Sequence, residues 1–450
     1  MSSYAPTHPA GARTVSRPAT LSRAGRIFLA VLLIVVFEGA IRKWATSAAT
    51  LPLILLRDVL ALYLVIHAWR GGHLRRYRKV TTVLLGWTLL VVGWGLLQMV
   101  GGESSPAIFL IGLRFWLLYT WFAVAAAATM TEADYRASVR MAVLIMIVLA
   151  PLAVLQHYSP TGATINRQLD GDEDSVFVAI AGVVRTTGTF SFTSGYSTYL
   201  ILVAPLVFAL LAARKRTISQ RLFALTGFSA YVVGSVVSGS RAAVISAGVM
   251  LAAYLIARLV FSRARDKPAA LGAALVAAAL VAGFLLFFAD AIQVTQERFE
   301  QASSAENFWE RLLATFVGEP YVLGQVTWLG QGIGAGSNLA ASLYRGGANF
   351  GLAETETWRI LMEGGLLGFA FLALKLAVLV CGLAYALRLS IVRNAAFPMV
   401  LWITMVVGIM TWSAIGQISA NALLGLLLGY FLLLFRYPSS DFFPARSSSS

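Results

Sequence analysis

At 450 residues, 58% of them hydrophobic and only 12% charged, with a mean hydropathy of +0.77, the chain is too apolar for a soluble or disordered protein. Its net charge of +15 and pI near 10.2 invite a nucleic-acid reading, but the basic residues stand in short clusters flanking apolar runs and form no basic recognition helix, so nucleic acid is excluded as a partner. The single cysteine, Cys381, lies inside an apolar run; it rules out an intrachain disulfide and a cysteine metal site and reads as a small core residue.

The expected fold is all-α: a polytopic transmembrane helical bundle of about 12 spans with a large helical outer (periplasmic) loop. Residues 1–23, rich in Ser, Ala, Pro and Thr, read as a disordered cytoplasmic tail. The first apolar run follows Arg13, Arg17, Arg23 and Arg26 as in a signal peptide, but no small-residue cleavage site follows, so it reads as a first span. The transmembrane domain covers 24–436, with apolar runs at 24–43, 51–69, 80–100, 106–129, 141–157, 191–213, 222–238, 242–260, 269–289, 358–386, 395–413 and 416–436. The fifth and seventh are at the short limit for a span. Residues 437–450 form a second tail.

Most of the 35 Lys and Arg residues fall in the N-terminal tail, in the turns near 70–79, 136–140, 214–221, 258–267 and 388–393, and after 436. With that count of spans these all lie on one side, which the positive-inside bias makes the cytoplasm, with both termini on it. Arginines left at the other face run against the bias and point to an anion.

Two outer segments are long, 158–190 and 290–357. The second carries an amphipathic pattern, Trp309, Leu312, Leu313 and Phe316, behind the capping-box pair Ser303 and Glu306. Glu38, Arg42 and Lys43 crowd the end of the first span and Arg57 and Asp58 lie near the start of the second; they form either a structural ion-pair cluster or the wall of a polar cavity. Arg114, about two turns into its span, either snorkels or joins that cavity. Arg241, behind Ser238-Gly239-Ser240 at the start of a helix, has the surroundings of an anion site.

Asp170, Asp172 and Asp174 start like a calcium loop, but Ser175 and Ala181 occupy the positions that require Gly and Glu, leaving a solvated acidic turn. Gly330-Gln331-Gly332-Ile333-Gly334-Ala335-Gly336 lacks the strand and helix of a dinucleotide site and reads as a flexible, donor-rich loop able to approach a ligand. His157 cannot make a zinc site alone and is expected to pack at the interface. No metal or other cofactor is expected. Along 353–368, Glu356, Arg359 and Glu363 have helical i, i+3 and i, i+4 spacing; they make either a helix-start network or a catalytic carboxylate held beside arginines.

Taken together, Ser238-Gly239-Ser240-Arg241, Arg298-Phe299, Arg311, Leu329 to Gly334 and Glu363 to Gly368 resemble, in order and spacing, the O-antigen ligase and O-antigen polymerase family of bacterial envelope polysaccharide enzymes. The resemblance implies an inner-membrane glycosyltransferase of cell-surface or exopolysaccharide synthesis, moving a glycan from a polyprenyl diphosphate to an acceptor hydroxyl at the outer face. Polyprenyl-diphosphate-linked saccharide, membrane lipids and polysaccharide assembly or export proteins are the partners it implies. Members of the ligase branch carry a functional histidine where the large outer loop meets the next helix; here Glu354 stands there, a departure from that branch.

Residue chemistry fits a metal-independent, inverting transfer. Arginine forks stabilise the departing diphosphate, and one carboxylate suffices as general base. The expected diphosphate binders are Arg241, Arg298, Arg311 and Arg359, then Arg114 and Arg185; the expected base is Glu354 or Glu356. The rival readings are a transporter or flippase of a lipid-linked or anionic solute, which would show internal repeats and broken helices near mid-membrane, and a non-catalytic assembly subunit.

Overall fold

The computed structural model of the protein describes residues 20–167, 184–213, 217–263, 267–287, 324–343, 355–438 and 442–443. Most of these residues are helical, and none of them is in a strand. The helices are α1 (Arg23–Ala40), α2 (Thr50–Arg70), α3 (Arg78–Val100), α4 (Pro106–Leu113), α5 (Tyr119–Thr129), α6 (Glu132–Tyr158), α7 (Thr193–Ala212), α8 (Ile218–Val236), α9 (Arg241–Phe261), α10 (Lys267–Phe287), α11 (Asn338–Leu343), α12 (Glu356–Gly364), α13 (Leu366–Arg393), α14 (Phe397–Thr411) and α15 (Ile418–Arg436). Among the described residues nine helical segments are long and apolar enough to cross a bilayer, α4 and α5 counting as one through the π-helical turn Arg114–Leu118. Helices α8, α10 and the shorter α14 occupy the other three apolar runs of the sequence. The expected amphipathic helix at 309–316 and the acidic turn at 170–174 lie outside the described residues.

Two spans differ from their apolar runs. Helix α6 begins at Glu132, ahead of the run at 141, because Thr131 and Asp134 form a reciprocal capping box that satisfies the first backbone donors. It is therefore a 27-residue helix rather than a short span. The run at 358–386 is two helices: Gly365, with φ 55°, breaks the chain between α12 and α13, and Leu366 N–H donates to Trp328 O across the break.

Helices α7 and α15 form the interior, and every residue of α7 from Gly195 to Leu210 is buried. Against α15, Gly425 and Gly429 admit the alanine-rich face of α5; a methyl group at Gly425 would lie 2.7 Å from Tyr119 Cβ. Phe28 of α1 stacks on Phe122 at 5.7 Å and meets Tyr430 edge-on at 5.3 Å, joining the three helices. Helices α2, α3 and α13 instead turn Val59, Leu89, Val380 and other large apolar side chains outward. Lipid, not water, suits such a surface. Cys381 is exposed on α13 among them, correcting its reading as a core residue: the apolar run around it serves the outside of the bundle.

The two ends of the bundle are chemically distinct. At one, Arg436 Nη1 donates to Ala127 O (2.8 Å) and Ala128 O (3.0 Å) and Arg76 reaches Ala128 O, supplying cations and donors to the C-terminal carbonyls of α5. Ser22, ahead of α1, donates to Asp134 of the α6 cap through N (2.9 Å) and Oγ (2.6 Å). The basic residues near 70–79, 136–140 and 388–393 stand at this end, where α2 and α13 finish and α6 begins. The far end holds the finish of α1 and the starts of α2, α4, α7, α9 and α15, and with them every described candidate site residue.

Candidate functional site

At the far end the short helix α12 is buried along its whole length. Its first residue, Glu356, accepts from Ile415 N–H at 3.2 Å (Oε1) and 3.3 Å (Oε2) and pairs with Lys375 Nζ at 3.3 Å. Lys375, on α13, also reaches Ile409 O and lies over the Phe371 ring. Glu356 thus ties α12 to α13 and to the turn between α14 and α15. Sequence reasoning missed Lys375, although a lone lysine within an apolar span calls for a counter-ion.

Two turns on, Glu363 is enclosed. Its carboxylate accepts from Gly334 N–H (2.8 Å), Gly336 N–H (2.9 Å) and Trp116 Nε1 (2.9 Å). Burial pushes this carboxyl up to about 7, against the opposing pull of those hydrogen bonds and of the Arg359 charge. The glycine loop is therefore not a flexible cradle for a ligand: Gly330, Gly332 and Gly334 take φ of 80°, 103° and 90°, and N–H groups of the loop face the protein's own carboxylate. Gln98 fixes the loop from α3, donating to Leu329 O (2.7 Å) and Glu363 O (2.8 Å) and accepting from Ile333 N–H (2.9 Å).

Arg359 lies between these two carboxylates on α12, 5% exposed. Its Nη1 donates to Ser413 Oγ at 2.8 Å. The side chain runs between two glycines: a methyl group at Gly336 would sit 3.0 Å from Arg359 Cγ, and one at Gly416 would overlap the guanidinium. Asn338 N–H closes the pair of turns onto Gly416 O at 2.8 Å. From the same turn Gln417 accepts from Ser194 Oγ of α7 at 3.2 Å, linking the Arg359 neighbourhood to the segment that carries Arg185.

Arg114 stands apart. Its Nε and Nη2 are 2.6 and 3.2 Å from the Asp58 carboxylate, which also accepts from Tyr119 Oη at 2.8 Å. Beside it the fully buried Arg57 donates through Nη1 to both oxygens of Glu38 at 2.8 Å, and Ser419 donates to Glu38 at 3.2 Å. Of the two readings of these residues, the ion-pair cluster describes Glu38, Arg57, Asp58 and Arg114, which balance in charge and join α1, α2, α15 and the π-helical turn carrying Arg114.

Arg241 is half-buried and opens α9 behind Gly239, whose φ is 63°. The hydroxyls of this turn serve the turn itself: Ser238 Oγ donates to Ser235 O (2.7 Å), and Ser240 Oγ accepts from Ala243 N–H (3.4 Å) as the helix cap. His157 packs beneath it with Nδ1 3.1 Å from Val237 O, buried as its packing role requires. Helices α7, α9 and α14 pack on one another, and Arg185, Arg241 and Arg359 all belong to the far end of that group. Glu354, Arg298 and Arg311 lie outside the described residues.

No protein-family model matches the chain, and no curated protein matches it.

Proposed function

We propose that the chain is an O-antigen ligase/polymerase-like glycosyltransferase of a bacterial inner membrane, with both termini cytoplasmic and the far end of the bundle at the outer face. It takes a glycan from a polyprenyl diphosphate and passes it to an acceptor hydroxyl. The observation that carries this reading is the buried Arg359 guanidinium, seated between Gly336 and Gly416 beside Ser413 at the end opposite the basic turns. A planar fork held this firmly suits a diphosphate whose charge grows as the glycosidic bond breaks.

In the proposed step the acceptor oxygen attacks the anomeric carbon, the carbon–oxygen bond to the diphosphate breaks with both electrons leaving on the diphosphate, and the acceptor proton passes to a carboxylate. Arg359, Arg241 and Arg185, with Arg298 and Arg311, are the proposed diphosphate binders. Glu356 has both oxygens engaged by Ile415 N–H and one by Lys375, which leaves Glu354 as the proposed proton acceptor. Arg114 is assigned to the ion-pair cluster through Asp58.

A transporter of a lipid-linked solute is the second reading, favoured by the broken helix at Gly365. Purified protein given a polyprenyl-diphosphate oligosaccharide separates them. Elongated or transferred product supports the enzyme, with product length separating polymerase from ligase, and an intact donor in every acceptor condition refutes it.

A further inference from the structure

The last turn of α1 widens to a π-helix over Ile41–Ala45 and turns Lys43 inward. Lys43 is 3% exposed, and among the described residues its ammonium donates to neutral acceptors alone, Thr187 Oγ1 at 2.8 Å and Gly188 O at 2.9 Å, with the Trp44 ring 4.9 Å away. Glu38, one turn earlier, is committed to Arg57 and Ser419. A buried ammonium without a counter-ion is costly, and one of its three N–H groups has no acceptor among the described residues.

The segment that receives Lys43 is itself cationic. Arg185 lies two residues before Thr187, half-buried and without a hydrogen-bond or ion-pair partner among the described residues. Between them Thr186 is fully buried and its Oγ1 has no partner among the described residues. The segment is held in place: Gln156 accepts from Gly188 N–H (2.8 Å) and donates to Gly188 O (3.1 Å), while Thr189 Oγ1 donates to Val36 O (2.6 Å). Arg42 adds a further cation where its Nη1 meets Ser191 Oγ at 3.2 Å.

We propose that Lys43, Thr186 and Arg185 form a subsite for a phosphate carried by a lipid. The ligand supplies the missing negative charge and accepts from the spare Lys43 N–H, the Thr186 hydroxyl and the Arg185 fork. A subsite this fixed before binding loses little freedom when occupied. Its occupant is the diphosphate of the glycan donor or the headgroup of a bilayer phospholipid; the donor source alone rests on the glycan-transfer reading.

The test measures binding to the full chain in phosphatidylcholine nanodiscs, using polyprenyl diphosphate, the phosphate-free polyprenol and phosphatidylglycerol as probes. Lys43→Gln and Arg185→Gln are each expected to weaken polyprenyl diphosphate about tenfold, a loss of about 1.4 kcal/mol, and to leave polyprenol unchanged. The same loss for phosphatidylglycerol supports the subsite and assigns it to a bilayer lipid. Unchanged diphosphate and phosphatidylglycerol affinity in Arg185→Gln overturns the proposal, and this arm decides if Lys43→Gln does not fold, since Arg185 anchors nothing among the described residues. Turnover assayed in parallel keeps the readings separate: binding without transfer defeats only the enzyme, and transfer with unaltered binding in both variants defeats only the subsite.

Discussion

Replacing Glu363 with alanine removes the acceptor of three buried donors at once: Gly334 N–H, Gly336 N–H and Trp116 Nε1. Each orphaned donor costs about 1–3 kcal/mol. Relaxation is limited because Gln98 and Met362 O hold the glycine loop from other sides, Gln331 N–H donating to Met362 O at 2.8 Å. The expected loss is therefore roughly 3–9 kcal/mol. Trp116→Phe takes away one donor and keeps a ring to stack on Phe371, 4.8 Å away in the parent, so about 1–2 kcal/mol is expected. Unfolding in mixed micelles with increasing dodecyl sulfate, followed by far-ultraviolet circular dichroism, measures both. A Glu363→Ala protein within about 1 kcal/mol of the parent, no more than the cost of a single orphaned donor, refutes the carboxylate-in-loop account.

Gly416→Ala drives a methyl group into the Arg359 guanidinium, so transfer is expected to fall about tenfold or more in a protein that still purifies as a monodisperse species; unchanged turnover removes Arg359 from the site. Arg57→Met leaves Glu38 buried without its cation and is expected to cost about 3–5 kcal/mol, whereas Glu38→Met with Arg57→Met recovers most of that loss in the same unfolding assay. A double variant as unstable as the single one contradicts the pairing. Lys375→Met is expected to destabilise the protein by a similar amount, about 3 kcal/mol, and Glu356→Gln to relieve part of it; additive losses show that the two side chains act separately.

The helices are largely legible in the sequence because apolar runs bounded by basic turns leave few alternatives in lipid. What the runs conceal is set by polar detail. Hydrophobicity begins at 141, but α6 begins where Thr131 and Asp134 cap it, a signal present in the sequence yet hidden among charged residues. The break at Gly365 has a local sign in the Gly364-Gly365 pair, but the contacts that hold it, with Thr327 O and Trp328 O, come from far away in the chain. Of the site, the helical spacing of Glu356, Arg359 and Glu363 is readable. Their partners are not: Lys375, Ile415, Gly334 and Trp116 come from other segments, and the inward placement of Lys43 depends on a π-helical turn that periodicity at 3.6 residues does not reveal.

The proposed function stands on the far-end arginines holding a lipid diphosphate during glycan transfer. It is tested most directly by incubating the purified protein and its Arg359→Ala variant with a radiolabelled polyprenyl-diphosphate oligosaccharide and acceptor, and resolving the products. Glycan released from the donor onto the acceptor by the parent protein, and roughly a hundredfold less by the folded variant, is the expected result. Equal transfer by both contradicts it, as does a donor left intact by the parent.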